Sequence, residues 1–382
     1  MPKNLSIVLL CLLFLAADQG LHAQAPPKPR DSTIVGPQTF AMILGISTYQ
    51  HIRPLTYADK DAEMFRDYLK SPAGGKLPDD NIYCLLNEKA LKANFLVAGF
   101  KWLKVKNLQK GDRLFIYLSG HGDAIDEEQF YYLAYDCNPA GDKNNYQVSG
   151  AIGMYDVKAN IARQVAKGVE VYLIMDACRS NELPGGKEGQ SFFRNAISEK
   201  RAGEIMMLAT GAGQESLEDA SIGSGHGLFT YYLIDGLTGA ADSIGVIDNK
   251  VTVEELQKYV DRQVPSIAQQ RFKRKQEPYF CCTENSDKIV GIVDTAYLRK
   301  WIELKKLQAK AGGATAFAPR GRKMAFGPAD TLLIEAYNLF NNAIKESRLT
   351  GKASAEYYYT LMESKYPGTS YTIDAQTTLA VE

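Results

Sequence analysis

Cysteine, histidine and tryptophan are scarce in this chain of 382 residues, which holds six Cys, four His and two Trp. Six cysteines are too few to staple a fold of this size, so a disulfide scaffold is excluded. Neither charge is in excess. The 44 Lys and Arg balance 44 Asp and Glu, without the basic surplus usual in a nucleic-acid binder. Past the first residues no apolar run reaches the roughly 18 residues that suggest a membrane-spanning helix. No Cys or His pair has a familiar zinc spacing. What is present suits a packed globular protein: 45% hydrophobic residues, 23% charged residues, 22 Tyr and 15 Phe. That composition excludes a wholly disordered or collagen-like chain.

The first residues read as a leader. Lys3 precedes an apolar run from Leu5 to Ala17, and a polar stretch ends in Leu21-His22-Ala23-Gln24-Ala25. This is the pattern of a secretory signal peptide over residues 1–23, with cleavage after Ala23 and export to the periplasm or the extracellular space. Cys11 lacks the small residues a lipoprotein signal needs. The mature chain is expected to be soluble, with no stable membrane insertion. It keeps Cys84, Cys137, Cys178, Cys281 and Cys282, an odd number that leaves at least one thiol unpaired within a monomer. A Cys84–Cys137 bridge is possible but has no sequence warrant. Nothing in the sequence implies an oligomeric state.

Residues 24–37 are Pro-rich and polar, a linker. From there to 288, short apolar runs alternate with helical patterns. Strands are expected at 40–46, 82–86, 114–118, 130–135, 169–175 and 205–209. Helices are expected at 57–70, 90–106, 155–166, 228–238 and 252–263. The alternation predicts an α/β domain with a mostly parallel sheet and helices on both faces. Residues 289–382 read as a helical extension with a linker at 311–330, dispensable for the chemistry. Tyr297, Trp301 and Leu304 form its first apolar stripe.

Reactive groups of such sheets gather past the carboxyl ends of the strands. Two strand ends here are unusual: Ser119-Gly120-His121-Gly122-Asp123, and Asp176-Ala177-Cys178-Arg179-Ser180. The glycines beside His121 predict a tight turn there and close approach by a substrate backbone. If the two strands are neighbours, His121 and Cys178 meet at one sheet edge, as a thiolate nucleophile and its imidazole partner. An imidazolium at His121 would favour the Cys178 thiolate.

Residues 38–283 resemble the caspase-like cysteine peptidases of the caspase/metacaspase superfamily, closer to the bacterial metacaspase-like members. The resemblance rests on the order of Ala41-Met42-Ile43-Leu44-Gly45-Ile46, Leu55 through Asp61-Ala62, the Ser119 and Asp176 segments, Ala209-Thr210 with Gln214, and His226-Gly227-Leu228-Phe229-Thr230. His121 and Cys178 lie 57 residues apart, close to the interval of about 50 that accompanies such enzymes. The resemblance implies Cys178 as nucleophile, His121 as the proton-transfer group, and the backbone N–H groups of Gly122 and Cys178 as oxyanion donors. No third catalytic side chain, no metal and no cofactor are implied. His226 is assigned to packing and His51 receives no role.

The matching positions in metacaspase-like enzymes make Asp61, Ser119 and Asp176 the pocket for the side chain before the cut. Two carboxylates and a hydroxyl suit Arg or Lys. Asp176 also replaces the Gln of caspases, against a caspase-like preference for Asp, although Arg179 beside the nucleophile is basic. The expected function is a cysteine endopeptidase acting on peptides or proteins, not on nucleic acid. The alternatives are a catalytically silent caspase-like binding or scaffold module, and another Cys-dependent hydrolase on the same sheet. The connector 181–203 is polar and basic, as in relatives cut during maturation. Asp123, Asp126, Glu127 and Glu128 raise calcium activation, without the spacing of an EF-hand.

Overall fold

The computed structural model describes residues 27–125, 129–179, 203–210, 214–245, 247–281 and 286–311; of residues 178, 179 and 309–311 it describes the backbone alone. The leader, acidic residues 126–128, Cys282, most of the connector (180–202) and the tail from 312, with its linker, lie outside the described residues.

The apolar runs form the strands they predict. β1 (Thr39–Gly45) is buried along nearly its whole length. It is flanked by β2 (Ile82–Leu86) and by the long β3 (Arg113–Ala124), both parallel to it. β3 also carries a short antiparallel side sheet of β4 (Phe130–Leu133) and β5 (Ala151–Gly153). On its other edge it pairs with β6 (Glu170–Arg179), which is followed by β7 (Glu204–Leu208), both parallel. Two residue pairs, β8 (Glu218–Asp219) and β9 (His226–Gly227), form a small separate ladder. β10 (Lys250–Thr252) follows, and β11 (Tyr279–Cys281) closes the main sheet antiparallel to β7. The sheet order is β11-β7-β6-β3-β1-β2, so the expected mostly parallel sheet is present with β3 at its centre.

Side-chain alternation along the central strands sends residues to two cores. Ala41, Ile43, Phe115, Tyr117, Tyr172 and Ile174 face one side. There they meet α1 (Ala58–Lys70), α4 (Leu228–Asp235) and α5 (Val253–Ile267). Phe40, Met42, Leu44, Ile116 and Leu173 face the other. That side is covered by α2 (Phe100–Lys106) and α3 (Met154–Val165). α1 follows its pattern, burying Ala58, Ala62, Phe65 and Leu69. α5 opens with a reciprocal cap between Thr252 and Glu255.

Two expectations change. First, β3 does not end at Leu118: it runs on to Ala124, and β6 runs on to Arg179, so the Gly-His-Gly segment is strand rather than turn. Glycine reads as a breaker, but here it makes room for aromatic neighbours. A Cβ on Gly120 would lie 2.6 Å from the Tyr49 hydroxyl and 2.8 Å from that of Tyr132; one on Gly122 would lie 2.6 Å from Phe130. Second, the packed unit passes residue 288. β12 (Ile289–Ile292) pairs antiparallel with β10, and α6 (Thr295–Ala311) docks beyond it. Trp301 of α6 is buried and donates its indole N–H to Asp235 at 2.7 Å, beside the Lys305 ammonium at 2.7 Å and the Tyr259 hydroxyl at 2.7 Å. The linker is anchored too: Arg30 pairs with the buried Asp112. Among the described residues no helix is long and apolar enough to cross a membrane.

Candidate active site

The β3–β6 ladder sets the geometry. Its register places Ser119 opposite Asp176, His121 opposite Cys178 and Gly122 opposite Arg179. The two singular strand ends are therefore side by side, and the backbones of the two expected oxyanion residues belong to the same stretch of ladder. Two-residue alternation puts Tyr117, Ser119 and His121 on one side of β3, and Asp176 lies two residues before Cys178 on β6.

His121 is fully buried. Its Nε2 lies 2.8 Å from the carbonyl oxygen of Arg53. A carbonyl only accepts, so Nε2 carries the hydrogen and Nδ1 is left as the basic nitrogen. The backbone N–H of His121 donates to the Tyr49 hydroxyl at 2.7 Å, and the Tyr49 ring lies against the imidazole with centroids 4.9 Å apart. Burial lowers the His121 pKa to about 4; the Arg53 carbonyl opposes that and the Arg53 guanidinium adds to it. The ring is thus neutral at ordinary pH. Burial of the ring opposes the imidazolium expected from the sequence more than the Arg53 carbonyl supports it.

Tyr49 and Arg53 were not legible as site residues. Both sit in the loop after β1, and Arg53 acts through its backbone. A carbonyl carries no residue signature. The only available signal was the nearness of this loop to the strand ends that every parallel sheet gathers.

The three pocket candidates also come together. Asp61, Ser119 and Asp176 are all buried. Asp61 Oδ1 lies 2.9 Å from His226 Nδ1, and both its oxygens accept the Gly227 N–H at 3.0–3.1 Å. Asp176 accepts from the Ser216 and Thr230 hydroxyls, each at 2.6 Å, and from the Thr230 N–H at 3.2 Å. A Cβ on Gly227 would lie 2.6 Å from Asp61 Oδ2 and 2.9 Å from Asp176 Oδ2, so both carboxylates converge on that glycine. Burial raises Asp61 to about 7; the His226 hydrogen bond pulls it down and the Asp176 charge pushes it up again. Burial raises Asp176 as well, against its two hydroxyl donors. His226, assigned to packing from the sequence, is therefore part of the acidic cluster. Its partner Asp61 is 165 residues away, beyond the reach of any local motif.

Asp123 is held by other partners. It pairs with Lys143 at 3.0 Å and accepts the Tyr146 hydroxyl at 2.9 Å. Among the described residues no group of three or more His, Cys, Asp or Glu is gathered as a metal site. Cys84 and Cys137 are free thiols, not a bridge. Burial pushes the first up to about 11 and the second up to about 12, so both are poor nucleophiles.

The model of the caspase domain family, peptidase C14, matches residues 38–290. A protein of a Desulfuromonadales bacterium, named "Probable protease", is 26% identical over 222 residues, covering 54% of this chain and 26% of that protein. Metacaspase-1B of Aspergillus oryzae is 30% identical over 133 residues, covering 32% of this chain and 30% of the metacaspase. The chain thus spans 26% and 30% of the length of these two curated relatives. Among solved structures, a Geobacter sulfurreducens protein aligns at 18% identity and a TM-score of 0.42, over 69% of this chain and 97% of its own. Pro-sf-caspase-1 aligns at 13% identity and a TM-score of 0.39, over 67% of this chain and 90% of its own.

Proposed function

The chain belongs to the caspase domain family of peptidases, and we propose that it is a cysteine endopeptidase that cuts after Arg or Lys, with Cys178 as nucleophile and His121 as its base. The observation that carries this is the register pairing of His121 with Cys178, next to a ring whose Nε2 is tied to the Arg53 carbonyl. That tie leaves Nδ1 to take the Cys178 proton as sulfur attacks the scissile carbonyl. Negative charge develops on the carbonyl oxygen, where the Gly122 and Cys178 N–H groups supply hydrogen bonds. Nδ1 then hands its proton to the leaving amine, and water completes the cycle by hydrolysing the thioester.

A buried neutral imidazole suits the first step, since a base must be unprotonated to accept. The pocket reading is supported by the convergence of Asp61 and Asp176 on Gly227, with Asp176 two residues before Cys178 on β6. A guanidinium or ammonium entering there meets opposite charge. An Asp side chain meets like charge and loses its hydration without a partner. The reaction as written needs no cofactor. The leader over residues 1–23 supports action on peptides or proteins outside the cytoplasm.

Matched peptides with Arg, Lys, Ala or Asp at the cleaved position test this. Wild type should favour Arg or Lys in kcat/KM by at least about tenfold, roughly 1.4 kcal/mol of transition-state binding, and D176A should lose most of it. A preference for Asp, or an Arg preference unchanged in both D61A and D176A, contradicts the pocket while leaving Cys178 and His121 in place.

A further inference from the structure

Helix α6 reaches the acidic pocket by two routes. The half-buried Gln308 side chain donates its N–H to the carbonyl oxygen of Gly223 at 2.7 Å. Gly223, Ser224 and Gly225 are three consecutive residues with positive φ, at 57°, 72° and 112°. They bend the chain immediately before His226 and Gly227, the residues that bond Asp61. Ser224 is the strained member, because a residue with a Cβ rarely enters this region of φ. A turn of this kind persists only where its surroundings over-determine it. Here they do so through three contacts. A Cβ on Gly223 would lie 2.4 Å from the Tyr231 ring of α4, one on Gly225 would lie 2.5 Å from the Tyr57 ring, and Gln308 holds the Gly223 carbonyl.

The second route runs along α4. Its last residue, Asp235, accepts the Trp301 indole N–H and the Lys305 ammonium, both from α6. The other end of the helix holds the pocket. Gly227, the residue before α4, donates its N–H to Asp61, and Thr230 donates to Asp176 through its hydroxyl and its N–H. Tyr231 joins the two routes, with its ring against Gly223 and its centroid 6.0 Å from that of Trp301. α4 is buried along its whole length, and a close-packed interior transmits a displacement at one end to the other.

We propose that Gln308 is a positioning residue for the specificity pocket: by holding the turn at 223–225 it sets His226 and Gly227 on Asp61, and so fixes where that carboxylate meets the side chain before the cut. This rests on the assignment of Asp61 and Asp176 to the pocket. The caspase domain match ends at residue 290, so specificity here draws on a helix outside that domain. Loss of the Gln308 hydrogen bond relaxes the strained turn and moves the Gly227 N–H away from Asp61. A guanidinium depends on the direction of the carboxylate oxygens, whereas a neutral side chain depends on it less. Cys178 and His121 lie on β6 and β3, which the turn does not carry.

The test uses the full chain and peptides with Arg or its neutral isostere citrulline at the cleaved position, compared by their ratio of kcat/KM. Gln308→Ala should lower the wild-type ratio by at least about threefold, in keeping with the loss of one hydrogen bond, while kcat/KM on the citrulline peptide stays within about twofold. Gln308→Lys keeps a donor of similar reach and should retain most of the wild-type ratio. Thermal melting checks that each variant is folded, and Gln308→Met, which keeps the length without the donor, replaces Gln308→Ala if it is not. A ratio equal to wild type in the folded variant overturns the proposal alone, as does a fall shared equally by the Arg and citrulline peptides, which is what a merely structural role produces. A fall in Gln308→Lys as large as in Gln308→Ala also overturns it, because the donor is then not the cause. A wild-type enzyme with no preference for Arg over citrulline overturns the pocket assignment and this proposal together.

Discussion

Cys178 stands directly across the β3–β6 ladder from His121, so the two residues are matched in register on neighbouring parallel strands. Both strands continue past the point where their apolar runs end, and it is this continuation that brings the pair together. The sheet, rather than a loop, fixes the spacing between the proposed nucleophile and base, which suits a reaction sensitive to small errors in distance.

The buried imidazole has a pH signature. With its pKa lowered to about 4, His121 stays neutral far below the ordinary value of 6.5. The acid limb of kcat/KM on a neutral peptide should therefore lie well below 6.5 and approach 4. Stability moves in the same window. Between 6.5 and about 4 the unfolded chain takes a proton that the folded ring refuses, so the His121 contribution to stability is complete above 6.5 and is lost as pH falls towards 4. An acid limb at 6.5 would show that the ring is not held neutral by burial.

Gly227 separates two carboxylates with no room for a methyl group. Gly227→Ala should lower stability by about 1–3 kcal/mol through overpacking. It should also reduce the Arg preference while leaving cleavage of neutral peptides less affected, because the methyl strikes Asp61 and Asp176 rather than His121. Chemical denaturation and paired kcat/KM values measure the two effects. An unchanged Arg preference in a destabilised variant would mean that these carboxylates do not contact substrate.

α6 is predicted to be part of the stable unit. Trp301→Ala removes a buried indole and its hydrogen bond to Asp235, and should cost about 3–5 kcal/mol. Leu307→Ala, at a side chain 62% exposed, should change stability by less than about 0.5 kcal/mol. A chain ending at Asp287 loses β12 as well as α6 and should be less stable than Trp301→Ala. Equal melting temperatures for Trp301→Ala and wild type would return α6 to the status of a loose appendage.

Much of this was legible in the sequence, for physical reasons. Fully buried parallel strands read as unbroken apolar runs, and α1 declared itself through Ala58, Ala62, Phe65 and Leu69. The His121 and Cys178 segments were visible because polar residues directly after such runs are unusual. The extension of β3 through Gly120 and Gly122 was not visible, since a glycine that admits a tyrosine looks the same as one that turns the chain. The Arg53 carbonyl has no signature in any alphabet of side chains. The His226–Asp61 pair depends on β9 meeting α1, a contact that only the tertiary fold creates. Trp301 looked like one member of an isolated stripe because its partner, Asp235, lies at the end of a helix more than sixty positions earlier.

The most direct test of the account is covalent trapping with a peptide carrying Arg and an acyloxymethyl ketone, read by mass spectrometry of the labelled residue in wild type, C178A and H121A. The account predicts one label per chain at Cys178 in wild type, none in C178A, and much slower labelling in H121A, with Cys84 and Cys137 untouched because burial raises both thiols. Labelling at another residue, or labelling of Cys178 at the same rate with and without His121, would contradict it.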